Sequence, residues 1–218
     1  MKQLLNYFVL TSLISIFSLP AFSNELRMTK AQALALGFTE NLKSWHSLSV
    51  TKLASHELPW PIQFVDANHT IGNSMSEYQN YGTEAYYHEG ADLRISKAGE
   101  VKAPATGFLQ GDYYTYVTDQ NTGQDVKYTK PISAGGDDLY FELTIKTSSG
   151  LTLELHHVNA KTLPKNIYAL VSSGGGPIEK GDTIGFGSLW PVSRLGARYD
   201  HIHYNIISAD GVYLNPES

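Results

Sequence analysis

Eight histidines and no cysteine leave imidazole and carboxylate as the strong metal donors this 218-residue chain can offer. Two of the histidines stand two apart in Tyr199-Asp200-His201-Ile202-His203-Tyr204-Asn205-Ile206, a run that alternates as a β-strand does. Side chains alternate faces along a strand, so His201 and His203 project together, with Ile202 and Tyr204 on the other face. Two ring nitrogens on one face can share a metal ion, or one can hold the ion while the other works on substrate. Upstream, His88-Glu89-Gly90-Ala91-Asp92 sets a histidine and a carboxylate four apart. Gly90 disfavours a helix there, and in extended chain the even spacing turns His88 and Asp92 to one face and Glu89 away from it. Between these motifs, the alternating stretch Leu151 to Val158 closes on His156 and His157, which alternation puts on opposite faces; either one could face a metal. The three clusters can supply the three N/O ligands and open position of a catalytic zinc, although imidazole also suits copper, iron and nickel. Such an ion acidifies a bound water and polarises a peptide carbonyl, and a neighbouring base steers the proton. No His-Glu-x-x-His helix pair is present, and His46, His56 and His69 read as ordinary surface or hydrogen-bonded residues.

The motifs occur in a telling order: His88-x-x-x-Asp92, the segment Val101 to Gly107, a histidine closing a strand, Lys180-Gly181-Asp182-x-Ile184-Gly185, and His201-x-His203. In this order, from Tyr81 to Ile207, the chain resembles the lysostaphin-type (LytM-like) zinc metallopeptidases, peptidase family M23. The resemblance implies a mostly β, antiparallel LytM-like (duplicated-hybrid-type) domain with zinc on His88, Asp92 and His203. It implies that His157 and His201 share the roles of general base and transition-state stabiliser, in either order. His157 is preferred to His156 because the family's middle histidine precedes an apolar residue, as His157 precedes Val158. Tyr81 is the nearest match to a tyrosine that assists the family's reaction. The implied activity is hydrolysis of peptide bonds in peptidoglycan stem peptides or cross-links, with a cell-wall protein as a further partner. The alternative is a catalytically inactive LytM-like module that binds cell wall or regulates its hydrolases. In those modules ligand positions are replaced, whereas all five are occupied here. A third reading keeps the mechanism but gives the enzyme a protein substrate.

These motifs need a scaffold, and the rest of the chain supplies one. Residues 1–23 join an early Lys2, an apolar run to Leu19 and Ala21-Phe22-Ser23, as a secretory signal peptide does. An uncleaved anchor is the competing reading. Export to the periplasm or outside the cell follows, with no membrane span after cleavage. Residues 24–58 form an N-terminal extension in which Thr29 can cap a helix stopped by Gly37. It would pack on the domain, cover the active site or serve as a lead-in. The metallopeptidase domain takes 59–218, its lead-in from Asn73 to Gly82 walling the cleft. Asp112 to Asp138 is a long insert for the family, with a hairpin pairing Thr115–Thr118 with Asp125–Tyr128 that either rims the substrate groove or lies at the periphery. A second hairpin joins Leu139–Ile145 to Leu151–Val158. Ser172 to Pro177 reads as a loop that lacks the spacing of a phosphate cradle. With 16 Lys+Arg against 21 Asp+Glu and no basic run, nucleic acid and anionic membranes are disfavoured as partners. Without cysteines, stability must come from a packed core.

Overall fold

The alternation seen in the sequence becomes a sheet with one apolar and one polar face. The computed structural model describes residues 28–40, 58–63, 71–79, 86–95, 99–123, 125–191 and 199–218. The 1–23 segment, Tyr81, His46, His56 and His69 lie outside them. The strands are β1 (Thr39–Glu40), β2 (Ile71–Asn73), β3 (Tyr78–Gln79), β4 (Tyr86–Tyr87), β5 (Ala91–Arg94), β6 (Glu100–Lys102) and β7 (Gly107–Thr118). They continue as β8 (Asp125–Pro131), β9 (Phe141–Lys146), β10 (Thr152–His156), β11 (Gly176–Ile178), β12 (Thr183–Phe186), β13 (His201–Ile207) and β14 (Tyr213–Leu214). Ten of them form one antiparallel sheet in the order β1-β8-β7-β9-β10-β13-β5-β2, with β11 on β7 and β14 on β13. The fold is thus mostly antiparallel β, as expected.

Register decides what each face carries. Leu109 opposes Ile145, Ile145 opposes Leu153, Leu153 opposes Ile206, and Leu93 opposes Ile202; all are buried. Each such side chain contributes roughly 1.5–3 kcal/mol on burial. The opposite face is polar. There Glu142 opposes His156, His156 opposes His203, and His203 opposes Asp92, a straight row across four strands.

The helix expected after Thr29 is α1 (Lys30–Ala35), with a full capping box between Thr29 and Gln32; it ends at Gly37 in the left-handed region. Ala33 and Phe38 join the core, and β1 pairs with β8. Residues 28–40 therefore lie at the sheet edge remote from β5 and β13 and do not cover the polar row near Asp92. Both expected hairpins form. The first is not peripheral: β7 and β8 are main-sheet strands, and Lys127 of β8 is buried. The sequence reading misses α2 (Lys165–Ser172), which buries Ile167 and Val171 four residues apart. The expected loop after it also continues into β11. Among the described residues no helix is long and apolar enough to cross a membrane.

Candidate metal centre

Pairing of β5 with β13 sets Asp92 opposite His203. His88 precedes β5 and reaches them because the chain between runs tight against β13. A Cβ on Gly90 would lie 2.1 Å from Asn205 Oδ1 and 2.4 Å from the Tyr204 carbonyl oxygen, so only glycine fits. Gly90→Ala is accordingly expected to cost about 1–3 kcal/mol and to weaken metal binding by any site that includes His88, which it displaces. Urea denaturation and zinc titration would check this, and unchanged values would disprove the close approach.

Three donor atoms converge. His88 Nε2 lies 3.1 Å from Asp92 Oδ1 and 2.9 Å from His203 Nδ1, and His203 Nδ1 lies 3.0 Å from Asp92 Oδ1. His88 Nδ1 donates to the Ser74 carbonyl at 3.1 Å, which leaves a lone pair on Nε2 aimed at the other two atoms. Around a tetrahedral zinc with bonds of about 2.0–2.1 Å, neighbouring ligand atoms stand about 3.3 Å apart. The observed spacing fits that arrangement after slight expansion, and two imidazoles with a carboxylate suit zinc. Burial alone would push the Asp92 carboxyl up, but the imidazoles of His201, His203 and His88 outweigh it and hold the group well below the usual range.

His201 and His157 flank this triad. His201 donates from Nδ1 to the Tyr199 carbonyl at 2.9 Å, and its Nε2 lies 3.7 Å from Asp92 Oδ1. His157 donates from Nδ1 to the Leu139 carbonyl. The two rings are 4.8 Å apart, and Trp190 contacts both at 5.0 and 4.9 Å. His157 therefore presents an unprotonated Nε2, and the Nε2 of His201 is turned toward Asp92. Burial, reinforced by His201, pushes His157 well below the ordinary histidine value, so it is neutral near pH 7.

Alternation does not hold at the end of β10. His157 has φ +66°, and this left-handed residue turns its side chain back toward the polar side. Both His156 and His157 consequently lie there, with rings 6.2 Å apart. Such backbone strain costs on the order of 1–3 kcal/mol and marks functional positions.

Sequence reasoning does not single out Tyr199 as functional, although its even spacing from His201 and His203 is an available signal. Its hydroxyl donates to Asn73 Oδ1 at 2.6 Å and approaches Asp92 Oδ2 at 3.5 Å. Asn73 and Ser74 enter the sequence reading only as part of the Asn73–Gly82 lead-in, and Trp190 is missed, because their contacts arise from distant strands and loops.

Next to the triad lies a second buried polar cluster. Lys127 Nζ is 2.6 Å from Glu142 Oε2 and 3.0 Å from Glu154 Oε1. His156 Nε2 is 3.2 Å from Glu154 Oε2 and 3.3 Å from Glu142 Oε2, and Asn205 donates to Glu154 Oε2 at 3.1 Å. Burial would neutralise Lys127, but the two carboxylates raise its pKa above the ordinary lysine value. Burial pushes Glu142 up to about 7, whereas Lys127 and His156 outweigh burial at Glu154 and hold it low. Burial also lowers His156 to about 3.

A pH dependence follows. The folded pKa of His156 lies below the unfolded value of 6.5, so its contribution is present above 6.5 and is lost as pH falls toward about 3. For a shift of this size the effect is on the order of several kcal/mol. Glu142 has the opposite sign: its contribution is present below 4.5 and lost as pH rises toward about 7. Glu154 and Asp92, both lowered, lose theirs in acid. Between pH 6.5 and 4.5 the loss at His156 and the gain at Glu142 oppose each other, so thermal melts of metal-free protein should show a nearly level midpoint there and a fall below about pH 4.5, whereas His156→Phe, freed of the opposing loss, should gain in midpoint as pH falls toward 4.5. A His156→Phe midpoint that tracks wild type from pH 6.5 to 4.5 would disprove the buried neutral imidazole.

Compared with known proteins, the chain matches no family model and no curated protein sequence. Similar solved structures include two of SpoIIQ–SpoIIIAH complexes, one described as pore-forming. The pore-forming match has TM-score 0.46 at 16% identity, covering 73% of this chain and 88% of that one. The other has TM-score 0.47 at 15%, covering 74% and 98%. A third is a point-mutant catalytic domain of the prophage-encoded M23 protein EnpA from Enterococcus faecalis. Its TM-score is 0.41 at 13% identity, covering 72% and 96%.

Proposed function

We propose that this protein is an exported zinc endopeptidase that hydrolyses peptide bonds in the stem peptides or cross-links of peptidoglycan. The observation that carries the reading is the meeting of His88, Asp92 and His203 donor atoms within 3.1 Å of one another, beside the imidazoles of His157 and His201, each anchored through Nδ1 on a backbone carbonyl. In this reading His88, Asp92 and His203 hold the zinc. When bound there, the ion supplies an acidified water and a polarised carbonyl. His157 Nε2, neutral and aimed by its bond to the Leu139 carbonyl, accepts the proton. In its doubly protonated form His201, fixed through Nδ1 on the Tyr199 carbonyl, donates from Nε2 to the developing negative charge. Trp190 packs on both rings and limits their rotation. Peptidoglycan as substrate rests on the motif resemblance and on export through the 1–23 segment.

The test is digestion of purified sacculi and, in parallel, of an unstructured protein, with and without a chelator. Muropeptide release that stops with chelator and returns with zinc would support the reading. His157→Ala and His201→Ala should keep the metal and each lose about 10²–10⁴-fold in rate. Zinc-dependent cleavage of the unstructured protein alone would change the substrate. A zinc-loaded protein that binds sacculi without cutting them would replace the enzyme by a binding module.

A further inference from the structure

The cluster beside the triad looks at first like a second metal site, because donor atoms of Glu142, Glu154 and His156 lie within 4.8 Å of one another. The position of positive charge is already taken. Lys127 Nζ contacts both carboxylates, at 2.6 and 3.0 Å, and is itself buried. An ammonium in this place balances the carboxylates and, unlike an ion, cannot leave. The cluster's use must therefore lie in what it holds still.

What it holds is His156. The Nε2 of that ring faces Glu154 and Glu142 at 3.2 and 3.3 Å, Glu154 is tied by Asn205, and Tyr114 packs edge-on at 4.7 Å. His156 in turn stands directly opposite His203 in the β10–β13 pairing, with ring centroids 5.1 Å apart and planes at 75°. Such directly opposed side chains are the closest neighbours a sheet provides.

His203 needs the support. His88, His157 and His201 each anchor Nδ1 on a backbone carbonyl, from Ser74, Leu139 and Tyr199 respectively. His203 makes its contacts through Nδ1 to the triad, and among the described residues no protein group bonds its Nε2. A metal-ligating histidine is ordinarily oriented by a hydrogen bond on its second nitrogen. Here the ring is instead wedged between His88, 4.6 Å away, and His156, 5.1 Å away.

We propose that the buried Lys127–Glu142–Glu154–His156 cluster is a positioning device for the metal ligand His203, clamping the His156 ring against which the His203 ring is set and so raising zinc affinity. The inference rests on the reading of His88, Asp92 and His203 as zinc ligands. It makes His156 a positioning residue, outside the reacting atoms.

The test measures zinc affinity of the full mature protein by competition with a chromophoric chelator, and the visible spectrum of the cobalt-substituted protein. Wild type, His156→Gln and Glu154→Gln are compared, with the metal-free melting midpoint of each. Loosening an orienting partner costs about 10–100-fold in metal affinity, and a loss in that range with a shifted cobalt spectrum is expected in both variants. If His156→Gln does not fold, Glu154→Gln decides alone, since it keeps the shape of the cluster and one carboxylate for Lys127. Zinc affinity within about twofold of wild type in folded variants, even with a lowered midpoint, would make the cluster purely structural and overturn the proposal. A wild type that binds no zinc would overturn the metal-centre reading, and this inference with it.

Discussion

For the zinc endopeptidase proposed above, replacing His203 with alanine is expected to remove zinc from the purified protein and to lower sacculus digestion at least about 10³-fold, since a metal supplies several kcal/mol of transition-state stabilisation and each 1.36 kcal/mol is tenfold. The physical reason is convergence. His203 Nδ1 is 2.9 Å from His88 Nε2 and 3.0 Å from Asp92 Oδ1, so removing it opens one corner of a three-atom site. The remaining His88–Asp92 pair still makes a 3.1 Å contact, and nothing else in the arrangement needs to unfold. Metal content by elemental analysis and a melting curve, taken together, separate loss of the ion from loss of the fold. Stoichiometric zinc in a folded His203→Ala protein would reject the triad as the metal centre.

The second large effect concerns stability. Lys127→Met should destabilise the metal-free protein by about 3–5 kcal/mol, because it leaves two buried carboxylates without their cation. For a chain of this size that corresponds to a fall of roughly 10 °C in melting midpoint. Glu142 and Glu154 have relative exposures of 4% and 3%, so water cannot take over the role of the lysine. Replacing the whole set, Lys127→Met with Glu142→Gln and Glu154→Gln, should recover much of the loss, since a neutral cluster has no charge to compensate. Urea denaturation of wild type, single variant and triple variant is the measurement. A single-variant loss below about 1 kcal/mol would show that the buried ion pairs are not needed.

Much of the site can be read along the chain because strands have a two-residue period. Spacing alone assigns a common face to His201 and His203, and to His88 and Asp92, and the structure brings the donor atoms of three of them together. Where that period fails, so does the reading. His157 leaves the strand through a left-handed residue and joins His156 on the side from which alternation excludes it. Lys127 reads as an ordinary charge in a hairpin because its partners lie 15 and 27 residues away, reached through the β7–β8 and β7–β9 pairings. Tyr199 gains its importance from Asn73, 126 residues distant. Helix α2 spans two turns and buries two residues fully, which gives a weak periodic signal.

The placement of α1 and β1 also bears on how the protein can be handled. Met28 N donates to the Tyr116 carbonyl at 3.1 Å, and Thr39 and Glu40 lie along β8. This stretch is fastened to the sheet margin, with β8, β7, β9, β10 and β13 standing between it and β5. A fluorophore, affinity handle or surface linker attached at Met28 itself therefore starts from the sheet margin opposite the triad.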